Sequence, residues 1–155
     1  MGLLKTTLRS DLTAAMRARQ AQRVGTLRLV LAAITMAEVG GATARELDDA
    51  EEQAVLSREV RKRHEAAETY AGAGRPELAV AERSEAAIIE AYLPQQLGDA
   101  ELAALVADAV AQVTASTGAA PGKAQMGQVM KAATAAADGR ADGAKLAAAV
   151  RTALV

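Results

Sequence analysis

The sequence has no cysteine, no tryptophan and no phenylalanine, and these absences exclude several kinds of site. Without cysteine there is no disulfide, no thiolate nucleophile and no cysteine-ligated metal. The single histidine, His64, cannot by itself form a catalytic triad or a metal site. Tyr70 and Tyr92 are the only aromatic residues, so the stacking platforms that grip single-stranded nucleic acids are also missing. We therefore predict no cofactor and no metal ion.

Long apolar runs are absent as well. No stretch approaches the roughly 20 apolar residues that a membrane-spanning helix needs, and no secretory signal is visible. These two observations predict a cytoplasmic protein without a membrane partner.

Charge is nearly balanced overall but unevenly distributed along the chain. The net charge of −1 gives no global field that attracts nucleic acid. Residues 1–31 contain six basic residues and one acid, whereas residues 32–57 contain one basic residue and six acids. Segments of this kind usually pair with one another on the solvated faces of one bundle.

Apolar residues recur with the helical period in every segment, which predicts an all-α protein. Hydrophobic residues make up 51% of the chain, enough for a core. We expect an N-terminal up-down bundle of about four helices, followed by a C-terminal three-helix subdomain. The segment from Ala21 to Val39 is apolar almost all round and is expected to be the central helix of the bundle. Gly127, inside a predicted helix, suggests a close approach of another helix.

A proline divides the chain into the two parts. Pro94 disfavours helical angles at Leu93 and lacks an amide proton, so a helix should end there. Gly98 and Glu101 then have the spacing of a helix start with a capping box. We therefore predict an N-terminal bundle at residues 1–94, a C-terminal subdomain at residues 98–155, and a joint at residues 94–98 about which the two can move.

Three charged residues interrupt apolar helix faces in the predicted bundle. Arg28 lies in the apolar second helix, Glu85 lies in the apolar stripe of the fourth, and Asp11 lies beside the stripe of the first. In an up-down bundle all three are at similar height. Because an unpaired buried charge is costly, we expect Arg28 to pair with Asp11, Glu85 or both as a structural ion pair, with a binding pocket as the alternative.

The turn from Asp138 to Gly143 is the best candidate for a ligand site. Arg140 lies in the turn and Lys145 lies in the helix that follows, whose free amides can hold a phosphate. Asp142 is expected to be the N-cap of that helix. The alternative is a turn that binds nothing, because Asp138 and Asp142 are acidic.

Four segments, taken together, resemble the GatB/YqeY family over essentially the whole chain. They are the residues 27–34, the run from Ile89 to Leu97 that contains Tyr92-Leu93-Pro94, the residues 126–131, and Gly139-Arg140-Ala141-Asp142-Gly143. The resemblance implies two helical subdomains similar to the tail of the B subunit of tRNA-dependent amidotransferases. In those carbon–nitrogen ligases, which use glutamine as amide donor, the tail is associated with tRNA recognition and other parts carry the chemistry. Gln125 stands where the family often has an acid, so individual charged contacts need not persist.

The resemblance favours a tRNA-binding accessory module, with tRNA, an amidotransferase or another protein as partner. Lys131, Arg140 and Lys145 are the residues expected to contact RNA phosphates. If they do not, the basic face formed by Arg58, Arg61 and Lys62 is the next candidate. The near-neutral charge favours a second hypothesis, a protein-interaction scaffold without RNA binding. A third, independent catalysis, is disfavoured because no nucleophile–base pair or nucleotide loop is recognisable.

Overall fold

The computed structural model describes residues 2–154, which form seven α-helices and a short 3₁₀-helix with no strand in that range. This confirms the all-α prediction. The helices are α1 (Leu3–Arg17), α2 (Ala21–Val39), α3 (Asp49–Gly72), α4 (Pro76–Glu90), α5 (Asp99–Thr117), the 3₁₀-helix (Lys123–Gln125), α6 (Met126–Ala137) and α7 (Gly143–Ala153). The contacts divide the chain into two compact units, the first ending at Leu93 and the second beginning at Pro94.

The N-terminal unit contains α1 to α4, and α2 contacts each of the other three helices. Its core consists of side chains from all four helices, among which Leu8, Leu27, Ile34, Leu56 and Ile89 are almost fully buried. Branched aliphatic residues and alanine fill the core without any Phe or Trp, so the helices pack closely. The unit is thus a four-helix arrangement stabilised mainly by aliphatic burial.

Only one side of α2 is covered. Leu27, Val30 and Ile34 are fully buried, but on the opposite side Leu29 is 53% exposed and Met36 is 69% exposed. The helix is central in the sense predicted, because α1, α3 and α4 all contact it, but these contacts cover only one of its sides. The three other helices of the N-terminal unit pack against one side of α2 and leave its other side open within that unit.

The helix boundaries follow local sequence signals. Asp48 accepts a hydrogen bond from the amide of Glu51, and the Glu51 carboxylate accepts one from the amide of Asp48, which is a complete capping box at the start of α3. Pro76 occupies the first turn of α4, where its missing amide proton costs nothing. The last bonds at the end of α4 run from the amide of Leu93 to the carbonyl of Glu90, immediately before Pro94.

The start of α1 is held by acidic residues of α3. The amide of Leu3 donates to Asp49 Oδ1 at 2.7 Å, and the amide of Lys5 donates to Glu52 Oε2 at 2.9 Å. These carboxylates satisfy amides that a helix N-terminus leaves unpaired. The Lys5 ammonium, itself buried, binds Glu38 of α2 at 2.6 Å. The first turn of α1 is therefore fixed to two other helices.

The ion pair predicted for Arg28 does not form, so that prediction is wrong. Arg28 is exposed, and among residues 2–154 its guanidinium donates only to Met16 Sδ, at 3.5 Å. Asp11 lies 3.5 Å from Arg23 instead and accepts a 2.6 Å hydrogen bond from the hydroxyl of Tyr92. The physical reason is rotational: Arg28 belongs to the exposed side of α2, whereas Arg23 is near enough to the buried side to reach Asp11.

Glu85 pairs with a different arginine, Arg63 of α3. Arg63 Nε lies 3.2 Å from Glu85, and Arg63 Nη1 lies 3.0 Å from Glu59. The Arg63 side chain is only 8% exposed. The sequence did carry a signal for this residue, since Arg63 falls on the stripe made by Leu56, Val60 and Ala67 and interrupts it as Glu85 interrupts the stripe of α4.

The C-terminal unit consists of α5, α6 and α7, and each pair of these helices is in contact. Val106, Val129, Ala133, Leu146 and Val150 are its most deeply buried apolar residues. Gly127 does not mark a close helix approach, because a Cβ atom built there would meet no atom of the described chain within 4 Å beyond the backbone of its own helix. That prediction is wrong: Gly127 is exposed on the outer side of α6.

Candidate functional site

The two most specific segments of the sequence meet in the C-terminal unit. The amide of Leu97 donates to the carbonyl of Arg140 at 2.7 Å, and the side-chain amide of Gln96 donates to the carbonyl of Gly139 at 3.2 Å. Residues that follow Pro94 are thus tied to the turn between α6 and α7, although they lie more than 40 positions away in sequence. This contact holds the peptide of Arg140 in place and presents its side chain at the surface.

The turn itself has the geometry expected from its residues. Asp138 (φ 47°) and Gly139 (φ 75°) both adopt left-handed angles at the end of α6, where glycine is favoured because it has no Cβ. Asp142 caps α7 by accepting a hydrogen bond from the amide of Lys145 at 3.3 Å, as predicted. Because a carboxylate already occupies this helix start, a phosphate bound here must rely on side chains more than on the free amides of α7.

Lys131, Arg140 and Lys145 are all exposed. Within residues 2–154, none of the three side chains makes an ion pair or a hydrogen bond. Arg140 lines a groove of about 410 Å³ between α5 and α6, and Lys131 lines a neighbouring groove of about 520 Å³. Gln112 and Ala132 belong to both grooves, so these form one continuous surface with Lys131 and Arg140 along it. Lys145 is on α7 and is not part of either lining.

The electrostatics of this α5–α6 surface are mixed. Glu101 and Asp108 of α5 line the groove that contains Arg140, while the groove of Lys131 has only neutral residues besides the lysine. The Glu101 carboxylate accepts a hydrogen bond from the amide of Gly98 at 2.9 Å, which is the contact predicted for the start of α5. The surface can therefore attract a phosphate on its α6 side and repels one on its α5 side, which orients a polyanion along α6.

The alternative basic face on α3 is largely neutralised. Lys62 lies 2.7 Å from Glu59, Arg61 lies 3.9 Å from Glu65, and His64 lies 2.8 Å from Glu90. Arg58 is exposed. Salt bridges with neighbouring acids make this face a weaker phosphate site than the exposed cations of the C-terminal unit.

Sequence reasoning missed the polar cluster at Tyr92. Its hydroxyl donates to Asp11 and accepts a hydrogen bond from Arg23 Nη2 at 2.9 Å, and the guanidinium lies 5.9 Å from the centre of the ring. Burial and the hydrogen bond to Asp11 together raise the pKa of Tyr92 to about 12. Tyr92 thus connects the segment after α4 to α1 and α2. Because its pKa is raised, the hydroxyl stays protonated at neutral pH, which suits a structural role.

Within residues 2–154, no group of three or more His, Asp or Glu side chains is arranged to hold a metal ion. None of the described helices is both long enough and apolar enough to span a bilayer.

Two comparisons with known proteins bear on this site. A family model described as Yqey-like protein matches residues 5–154, almost the whole chain. The chain is also similar to altered inheritance of mitochondria protein 41, mitochondrial, of Meyerozyma guilliermondii, with 38% identity over 87 residues. That match covers 56% of this chain and 44% of the relative, so the two share less than half of the relative's length. The relative's name places that protein in mitochondria, and a cytoplasmic location for this chain stays a prediction.

Proposed function

This chain belongs to the Yqey-like protein family, and from that premise we propose that it is an accessory module that binds tRNA through its C-terminal helical unit. The observation that carries the proposal is the exposure of Lys131, Arg140 and Lys145, whose side chains have no acidic partner among residues 2–154. Cations that are not paired within the protein are free to replace the counterions of a phosphate backbone.

The chemistry of the surface suits a folded RNA better than a single strand. Double-stranded RNA is recognised mainly by its shape and by contacts to phosphates and 2′-hydroxyls, which require no aromatic side chains. Lys131 and Arg140 line two adjoining grooves in which α6 contributes the small side chains of Ala132, Ala135 and Ala136, so a backbone can approach α6 closely. The resemblance to the tail of the amidotransferase B subunit makes tRNA the preferred RNA and a tRNA-dependent amidotransferase the preferred protein partner.

Because the site offers few cations and some acids, the affinity should be modest and should depend strongly on salt. Electrophoretic mobility shifts with total tRNA at two salt concentrations test this. We expect binding at low salt that weakens as salt is raised, and we expect tRNA to compete better than a single-stranded oligonucleotide of equal length.

The triple variant Lys131→Gln, Arg140→Gln, Lys145→Gln tests the position of the site. Losing three phosphate contacts should weaken binding of all tRNA species alike and reduce the slope of log K against log salt by up to about three. The matched control is Arg58→Gln, Arg61→Gln, Lys62→Gln, which changes the net charge equally but lies in the other unit. If both variants lose tRNA affinity equally, the binding is a non-specific electrostatic attraction. If only the control variant loses tRNA affinity, the site lies on α3.

A second candidate function is a protein-interaction scaffold that binds no RNA. The exposed apolar side chains on α2, including Leu29 and Met36, favour it, since such side chains commonly mark protein contacts. Absence of tRNA binding by the unaltered protein at low salt would decide for this candidate.

A further inference from the structure

The turn between α6 and α7 contains both Asp-Gly pairs of the sequence, Asp138-Gly139 and Asp142-Gly143. An aspartate that precedes glycine is open to a spontaneous reaction, because the nitrogen of a residue without a side chain can reach the carboxyl carbon of the aspartate. The reaction also needs a peptide group that can rotate and a carboxyl group that is not held elsewhere. The two pairs differ in both respects.

Asp142 is fixed by α7. Its carbonyl accepts a hydrogen bond from the amide of Leu146 at 2.9 Å, and its carboxylate accepts one from the amide of Lys145 at 3.3 Å. The side chain is half-buried. The carboxylate and the peptide group that joins Asp142 to Gly143 are therefore both engaged, and this peptide group can rotate only when the first turn of α7 opens.

Asp138 has neither restraint. Its side chain is exposed, and within residues 2–154 the carboxylate has no hydrogen-bond or ion-pair partner. In the same range, the peptide group that joins Asp138 to Gly139 makes no hydrogen bond through either its carbonyl or its amide. The nearest bonds lie on either side of it, from the Asp138 amide to Thr134 and from Gln96 to the Gly139 carbonyl.

We propose that Asp138 is a site of spontaneous isomerisation to isoaspartate in the folded protein, whereas Asp142 is protected. The nitrogen of Gly139 attacks Cγ of Asp138. The amide loses its proton and the protonated carboxyl group loses its hydroxyl, so that water leaves and a succinimide ring forms. Water then opens the ring at one of its two carbonyls: opening at Cγ restores aspartate, and opening at the main-chain carbonyl leaves isoaspartate. The product has the mass of the original chain, and no co-reactant other than water takes part.

The product changes the turn that carries Arg140. In isoaspartate the main chain runs through Cβ and Cγ, so the connection between α6 and Arg140 becomes longer, and the former main-chain carbonyl becomes a free carboxylate. The left-handed angles at Asp138 and Gly139 are those of the unmodified turn. Because the amide of Leu97 donates to the carbonyl of Arg140, the modification also acts on the contact between the turn and the segment that precedes α5.

Peptide mapping of the full chain tests the proposal, because trypsin separates the two sites. Cleavage after the basic residues of this region gives one peptide, residues 132–140, that contains Asp138 and another, residues 141–145, that contains Asp142. The folded protein is kept at neutral pH and physiological temperature and sampled over time. Isoaspartate is identified by a changed retention time at unchanged mass and by electron-transfer fragmentation. The sequence has no asparagine, so each isoaspartate found comes from an aspartate.

In the folded protein, isoaspartate should form at Asp138 at least about tenfold faster than at Asp142, which reacts only when the cap and the first turn of α7 open. In guanidinium, where the chain is unfolded, the two rates should become similar. Asp138→Glu keeps the charge but would have to form a larger ring, so it should remove the product from residues 132–140 and leave residues 141–145 as in wild type.

Equal rates at Asp138 and Asp142 in the folded protein, or a folded protein in which Asp138 stays unchanged, overturn the proposal. A difference in rate that persists in the unfolded chain would come from the neighbouring sequence, and it would overturn the protection of Asp142 by the fold.

Discussion

Replacing Arg63 should destabilise the N-terminal unit, whereas replacing Arg28 should not. Arg63 has an 8% exposed side chain and binds Glu85 at 3.2 Å and Glu59 at 3.0 Å. A further hydrogen bond runs from Nη1 to the Glu59 carbonyl at 3.3 Å. Methionine retains most of the aliphatic stem of arginine, so Arg63→Met removes the charge and its hydrogen bonds while leaving most of the packing in place.

The magnitude follows from how much water reaches each partner. Breaking a fully buried pair typically costs about 3–5 kcal/mol because one charge is left without a partner. Here Glu59 is 12% exposed and keeps Lys62, and Glu85 is 29% exposed and can be partly hydrated. We therefore expect Arg63→Met to lower the free energy of unfolding by ~2–3 kcal/mol. Arg28→Met, on the exposed side of α2, should stay within about 0.5 kcal/mol of wild type.

Urea denaturation followed by circular dichroism at pH 7 measures both variants. Burial raises the pKa of Glu59, but hydrogen bonds from Lys62 and Arg63 outweigh it, so that the pKa lies below its ordinary value of 4.5. A lowered pKa in the folded state means that this stabilisation is present above the unfolded pKa and is lost as the pH falls through the folded value. The difference in free energy of unfolding between wild type and Arg63→Met should therefore become smaller below pH 4.5. Equal unfolding midpoints for Arg63→Met and Arg28→Met at pH 7 would refute the argument.

Three further outcomes are expected. The pKa of Tyr92, about 12, is raised, so its stabilisation should be complete below the ordinary value of 10 and lost as the pH rises toward 12. The free energy of unfolding, measured at pH 10 and near pH 12, should fall less for Tyr92→Phe than for wild type. Equal decreases in the two proteins would contradict a stabilising role for the protonated hydroxyl of Tyr92. Asp48→Ala removes half of a capping box and should cost ~1 kcal/mol in urea unfolding, whereas Asp48→Asn, which keeps a capping oxygen without the charge, should cost much less. The joint at residues 94–98 should let the two units tumble with different correlation times in nitrogen-15 relaxation, and a single common time would argue against mobility there.

The local features of the fold could be predicted because their causes are local. A capping box depends on residues three positions apart, and a proline stops a helix through its own ring and the preceding residue. The starts of α5 and α7 were predicted from such signals, at Gly98 and Asp142. The turn at Gly139 and the cap at Asp142 also have local causes. The turn of the candidate site could therefore be located from the sequence.

The partners of charged side chains could not be predicted in the same way. Arg23 and Arg28 are five residues apart on one helix, and a rotation of α2 decides which of them meets Asp11. That rotation is set by the packing of α2 against three other helices, which depends on side chains distant in sequence. The same holds for Lys5, whose burial against Glu38 has no signature in the residues around it.

The sequence by itself determined the helices, their ends and the division near Pro94, because backbone sterics and apolar periodicity act over a few residues. It also restricted the chemistry, since a chain without cysteine and with one histidine cannot form many kinds of site. Only the tertiary structure decided that Gln96 and Leu97 meet the turn at Gly139 and Arg140, and that the other helices of the N-terminal unit cover only one side of α2. Those outcomes depend on how whole helices pack, and packing is a property of many distant residues at once.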